Sequence, residues 1–201
     1  MKLYYSPGAC SLAPHIALRE LDLPFELVKV DLVKHTLPDG SDFRAINPKG
    51  YVPLLELDDG MRLTEASVVL QYVADRKPGT LAPAFGTAER WRLMEWLAFI
   101  ATEVHKGFGT LWNPKTPVEV RENTVRALGS RFTLMSQTLA SQPYLGGTAF
   151  SIADAYLFVI LNWSGLLKVD LAPWPALKDF QARVASRPSV QATLRAEGLV
   201  K

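Results

Sequence analysis

The strongest constraint on this chain is a change of hydrophobic rhythm after residue 75. Before it, short β-branched or apolar runs alternate with helical segments; after it, only helical spacing recurs. Met1-Lys2-Leu3-Tyr4-Tyr5 reads as a strand, Leu12 to Leu21 as a helix, and Phe25 to Val30 as a second strand. Val52 to Leu57 reads as a third strand. Asp58-Asp59-Gly60 is a tight-turn signal that returns the chain through Met61-Arg62-Leu63, and Thr64-Glu65-Ala66-Ser67 leads into a helix over Val68–Ala74. The order β-α-β, then β-β-α, requires a crossover with a parallel strand pair and adds an antiparallel hairpin at one edge. Lys77-Pro78-Gly79 and Pro83 break the pattern. Leu93/Leu97/Ile100/Val104, Val125/Leu128/Phe132/Met135/Leu139, Ile152/Tyr156/Val159/Trp163 and Leu177/Phe180/Val184 then form helical stripes, read as bundle core. The expected organisation is an α/β unit over residues 1–77, a linker over 78–87 and an all-helical unit over 88–201.

Two local signals refine this picture. Pro53 cannot donate to a ladder, so it demands an edge strand, a bulge or a cis bond, with the edge strand as the plain choice. Ser151-Ile152-Ala153-Asp154 fits a helix-starting capping box in its Asp form and is read as structural.

Composition excludes several classes of function. A formal charge of +2 gives no strong field for nucleic acid or a membrane surface. No run approaches the ~18 apolar residues of a membrane span, and the first residues lack the pattern of a secretory signal. One cysteine excludes an internal disulfide framework and points to a reducing cytoplasm. His15, His35 and His105 are scattered, with no metal-ligand spacing, so no metal is expected.

That single cysteine, Cys10, falls between a strand and a helix. Free N–H groups at a helix start favour an anion and can stabilise a thiolate, although a small residue filling a turn is the plain reading. Ala98, Thr102 and His105 are spaced by four and three, on one face of an expected helix offset from its apolar stripe. A neutral imidazole there accepts a proton from a thiol; an imidazolium stabilises a thiolate.

The residues around these positions resemble the glutathione S-transferase superfamily, and its bacterial beta class in particular. Met1 to Leu12 is similar to the opening of that class, whose cysteine stands at the position of Cys10. Asn47-Pro48-Lys49-Gly50-Tyr51-Val52-Pro53 is similar to the stretch bearing the superfamily's cis proline, and Leu63-Thr64-Glu65-Ala66 to its γ-glutamyl site. Glu95-Trp96-Leu97 with Thr102-Glu103-Val104-His105-Lys106-Gly107 resembles the helix that brings a histidine to the cysteine. Asp154 to Phe158 and Arg187-Pro188 match the C-terminal domain. The resemblance spans essentially the whole chain. It implies a thioredoxin-like first domain, an all-helical second domain carrying the electrophile site, and glutathione as co-substrate.

On that resemblance Cys10 and His105 are the catalytic candidates. Glutathione would be held by Cys10, His35, the Val52 backbone beside Pro53, Glu65 as ammonium acceptor, the Ala66 N–H as carboxylate donor, Thr102, Glu103 and His105. Phe108, Trp112 and Trp163 are candidates for an apolar electrophile wall. The chain departs from the family pattern at three places. Ala66 replaces the usual serine, a loss on the order of ~1 kcal/mol in binding. His35 stands where beta-class relatives often carry lysine, and Ala98 where some carry asparagine. The implied activity is conjugation of glutathione to apolar electrophiles by a cytoplasmic homodimer, a detoxification chemistry. Cys10-Ser11-Leu12-Ala13 lacks a second cysteine, so thiol-disulfide exchange is possible only as a monothiol route through a Cys10–glutathione mixed disulfide. A disulfide or peroxide reductase of that kind, or a non-catalytic ligand-binding scaffold, is the alternative.

Overall fold

The computed structural model describes residues 1–201. Strand β1 (Lys2–Tyr5) feeds helix α1 (Leu12–Glu20), and the crossover returns to β2 (Glu26–Lys29), parallel to β1 with Leu3 opposite Leu27. A long loop with a short 3₁₀ turn, Phe43–Ala45, precedes β3 (Leu54–Glu56) and β4 (Arg62–Thr64), and α2 (Ala66–Asp75) closes this half. The sheet runs β2-β1-β3-β4, with β1/β3 and β3/β4 antiparallel.

Period-two alternation sorts the sheet's side chains onto two faces. Leu3 and Leu55 point into the main core, while Tyr4, Val52 and Leu54 pack with Val30 and Phe43 in a small second cluster beneath the long loop. Pro53 does not mark an edge strand. β3 is flanked on both sides, and the proline precedes it in a cis Val52–Pro53 bond, so no ladder position lacks a donor.

The second half contains α3 (Ala88–Phe99), a π-helical turn (Ile100–His105), a 3₁₀ stretch (Lys106–Trp112), α4 (Val118–Ser141), α5 (Ile152–Leu166), α6 (Pro175–Ala185) and α7 (Pro188–Ala196). Helix α5 is apolar nearly all round, as a central helix must be. Its residues Ile152 to Leu161 are all buried, and it packs against α1, α3 and α6. The Asp154 carboxylate fixes its start by accepting the N–H and hydroxyl of Ser151 at 2.9 and 2.6 Å and the N–H of Leu145 at 2.8 Å. The four stripes lie in the core, with only Val125 at its margin. One continuous cluster of 47 buried residues runs from Leu3 to Leu194 through both halves. Leu81 and Ala82, in the connecting segment, belong to it, and the Leu81 carbonyl accepts the N–H of Ile152.

Candidate active site

A cavity of about 720 Å³ opens between the sheet half and the helical half. Its walls come from the loop after β1, the chain around the cis proline, the start of α2, the π turn, and α5 with the C-terminal tail. Of the residues singled out in the sequence, Cys10, Val52, Pro53, Glu65, Ala66, Thr102, His105, Trp112 and Trp163 meet there.

Cys10 lies in the turn before α1, and its thiol donates to the Val52 carbonyl at 3.2 Å. The expectation that the helix start would favour a thiolate is not met. Burial pushes the thiol up to about 12, and the nearby Glu65 carboxylate adds to the rise, so the Cys10 and Ser11 N–H groups and Lys106 do not offset it. At neutral pH Cys10 is a protonated donor. The neighbouring Val52 N–H has no protein acceptor, which leaves that backbone group available to an extended ligand.

The loop carrying Cys10 is held from the far end of the chain. The Glu197 carboxylate, fully buried, accepts the Gly8 N–H at 3.0 Å and pairs with His15 Nδ1 at 2.8 Å. His15 Nε2 accepts the Nε–H of Arg19 at 3.0 Å, so its hydrogen sits on Nδ1 and is donated to Glu197. On its other side the Gly8 carbonyl accepts the indole N–H of Trp163 at 2.9 Å. Gly8 adopts φ +72°, a conformation that its lack of a side chain permits.

The π turn decides which residues of the third helix face the cavity. The Lys106 N–H reaches back five residues to the Ala101 carbonyl, and the widened turn shifts the phase of the helix. Ala101, Thr102, His105 and Lys106 therefore line the cavity, and Ala98 does not, contrary to the face drawn with ordinary helical spacing. The His105 Nδ1 lies 2.7 Å from the Tyr156 hydroxyl, and its ring stands 4.8 Å from the Trp163 ring at 72°. Burial, helped by the adjacent Lys106 charge, lowers its pKa to about 4, so the imidazole is neutral at pH 7. His105 and Cys10 share the cavity without a hydrogen bond between them: the thiol donates to Val52 and His105 Nδ1 meets Tyr156.

Glu65 takes φ +65° immediately before α2, so its carboxylate and the unpaired first N–H groups of the helix meet at one end of the cavity. Lys49 Nζ at 2.6 Å and the Tyr51 hydroxyl at 3.3 Å hold that carboxylate, and the Lys49 bond keeps it below the usual carboxylate range. Ala66 and Ser67 line the same end. Trp112, Trp163, Leu166 and Leu199 add an apolar lining, with the Trp112 and Trp163 rings 5.2 Å apart.

Three sequence candidates lie elsewhere. His35 is turned onto the loop, where its Nδ1 pairs with the Gly50 carbonyl at 2.9 Å, and it does not line the cavity. Glu103 projects from the other side of the π turn to pair with Arg131 at 2.7 Å. Phe108 is completely buried and packs against Phe132 and Trp163, so it supports the wall without forming it. Lys49, Tyr51, Lys106, Tyr156 and Leu199 also line the cavity or hold its acid, and sequence alone does not single them out. Lys106 is adjacent to a candidate, and Tyr156 stands in an apolar helical stripe. Nothing local pointed to Leu199.

Comparison with known proteins agrees with this geometry. Residues 8–76 match the family model for the glutathione S-transferase N-terminal domain, and residues 99–188 the model for its C-terminal domain. The chain is 46% identical to glutathione S-transferase GstA of Escherichia coli O157:H7, over 99% of this chain and all of that one. It is 46% identical to the bacterial beta-class glutathione S-transferase of Sphingomonas chungbukensis, with a TM-score of 0.95 and full coverage of both chains. A sphingomonad glutathione S-transferase solved in complex with glutathione is 44% identical, with a TM-score of 0.94 and full coverage of both. No helix is long and apolar enough to cross a membrane. A cysteine at the first helix, a cis proline beside it, an acid at the start of α2 and a histidine across the cavity, on a chain matched end to end, place this protein in the glutathione S-transferase family as an enzyme of its bacterial beta class.

Proposed function

We propose that this enzyme conjugates the thiol of glutathione to apolar electrophiles. The observation that carries the reading is the mixed lining of the cavity. It offers an acid, helix-start N–H groups and an unpaired backbone N–H together with the apolar side chains of Trp112, Trp163, Leu166 and Leu199. An extended anionic peptide with an ammonium group suits the first set, and a hydrophobic co-substrate the second. In this reading Val52 pairs with the cysteinyl backbone of glutathione, Glu65 accepts its ammonium, and the Ala66 N–H donates to the γ-glutamyl carboxylate. Cys10 acts as a neutral thiol donor beside the glutathione sulfur and not as the nucleophile, because its own thiolate is disfavoured. The contribution to rate is thiolate stabilisation and proximity. The working form is a cytoplasmic homodimer, the symmetry commonest for such proteins.

Cys10 lines the cavity, which supports a second activity, a monothiol exchange in which its ionised fraction attacks oxidised glutathione, forms a Cys10–glutathione mixed disulfide and releases one glutathione. The test compares wild type with Cys10→Ala for glutathione binding, conjugation of an aryl halide and mass gain after treatment with oxidised glutathione. Conjugation surviving in Cys10→Ala, with the mass adduct lost, is the expected result. Absence of both glutathione binding and conjugation in the wild type would overturn the reading.

A further inference from the structure

His105 is bound through Nδ1 to a hydroxyl that has no other partner. Tyr156 is only 2% exposed, and its O–H meets no acceptor other than that nitrogen. Two proton arrangements fit a 2.7 Å contact. If Nδ1 carried the hydrogen and donated to the phenol oxygen, the phenol hydrogen of a side chain only 2% exposed would have no protein acceptor. If the phenol donates to a bare Nδ1, both groups are satisfied, and the imidazole hydrogen must sit on Nε2. Nε2 has no protein partner, yet it is not among the buried side-chain nitrogens sealed without one, so it is open to the cavity. The Trp163 ring, itself anchored through its N–H to Gly8, stands edge-on against the imidazole and limits its rotation.

We infer that Tyr156 is a positioning residue: its O–H fixes His105 in the Nε2–H tautomer, making His105 a hydrogen-bond donor to the sulfur of bound glutathione and not a base that removes the thiol proton. The inference rests on the reading of the cavity as a glutathione site, but its proton placement stands on the protein alone. Burial supports it from both sides, because it disfavours the imidazolium and the phenolate alike. His105 is then a neutral donor to an anionic sulfur, joined by Cys10 once its hydrogen turns from the Val52 carbonyl, and no proton has to leave either of them for that sulfur to be held. The thiol proton of glutathione passes to solvent.

The test is a long-range ¹H–¹⁵N correlation spectrum of the full chain labelled at histidine, with His105 assigned by its disappearance in His105→Asn. In wild type Nδ1 is expected to resonate as an unprotonated nitrogen and Nε2 as a protonated one. Tyr156→Phe should move both signals toward the averaged positions of an unconstrained imidazole. Adding glutathione should shift the His105 Nε2–H signal and leave His15 unmoved. In steady-state assays Tyr156→Phe should lower kcat about fivefold with KM for glutathione within about twofold, since the donor's orientation is lost and the peptide-binding end is untouched. A protonated Nδ1 in wild type overturns the proposal whether or not Tyr156→Phe folds, as does an unchanged Nε2–H tautomer in Tyr156→Phe. A protein that shows the expected tautomer but never binds glutathione would refute the donor role through the failure of the glutathione reading, and the spectrum of the free protein tells that failure apart.

Discussion

Removing the Glu197 carboxylate should destabilise the protein far more than a change four residues from Lys201 ordinarily would. Its side chain is fully buried and receives two donors, the Gly8 N–H at 3.0 Å and His15 Nδ1–H at 2.8 Å. Glu197→Ala leaves both without a partner. A buried unpaired donor costs about 1–3 kcal/mol, so the pair together cost about 3–5 kcal/mol once partial relaxation is allowed. Against a typical total stability of about 5–15 kcal/mol this is a large fraction, and it corresponds to a fall in Tm of about 10 °C. Glu197→Gln keeps the shape and one acceptor oxygen but turns an NH₂ toward the other donor, so it should lose about half as much. Urea unfolding gives both numbers, provided the m-values match the wild type. A loss below about 1 kcal/mol in Glu197→Ala, or a harmless Glu197→Gln, would show that the clamp is not held by these hydrogen bonds.

Four further outcomes follow from the structure. Alkylation of Cys10 by iodoacetamide should be slow at pH 8 and rise about tenfold per pH unit to pH 10, because a thiol pushed up to about 12 is only about 10⁻⁴ ionised at pH 8; a plateau near pH 8 would contradict this. His105 is lowered to about 4 from an ordinary 6.5, so the unfolded chain takes up that proton first as pH falls; the stability gained by burying a neutral ring is present above about pH 6.5 and lost toward pH 4, a swing of about 3 kcal/mol. Asp154, raised by burial to about 6, acts in the opposite direction over an overlapping range, so the measurement is the difference between wild type and His105→Asn, which should be smaller at pH 4 than at pH 7 by that amount; parallel curves would refute it. Phe108→Ala should cost about 3–5 kcal/mol in urea unfolding, as a fully buried ring against Phe132 and Trp163. Trp112→Ala should leave stability nearly unchanged and weaken hydrophobic co-substrates, since nearly half of its surface is exposed beside the cavity.

The element order was legible because each element announces itself within a few residues: Asp58-Asp59-Gly60 for the hairpin, and the stripe from Ile152 to Trp163 for the central helix. What was not legible depends on distance or on phase. Gly8 and Glu197 lie 189 positions apart, and no local pattern links them. Phe108 and Trp112 are equally aromatic and four residues apart, but the 3₁₀ stretch turns one into the core and leaves the other at the cavity mouth. The Cys10 environment was misjudged for a related reason. A helix start is visible in sequence, whereas the Val52 carbonyl that takes the thiol hydrogen, and the burial that outweighs the helix, come from a segment 42 positions away.

The widened turn at Ile100–His105 also sets how this chain tolerates changes of length. It behaves as a one-residue insertion absorbed into a helix. Deleting a single residue there would let an ordinary α-helix form with every backbone bond intact, so folding itself would raise little objection. Because the turn already holds one extra residue, the residues beyond the deletion would keep their places about the helix axis, whereas a deletion from an ordinary turn of α3 would swing each of them by about 100° and carry His105 out of the cavity. In this stretch of the chain the widened turn is where a residue can be lost with the phase of the helix kept, and the ordinary turns before it are where it cannot.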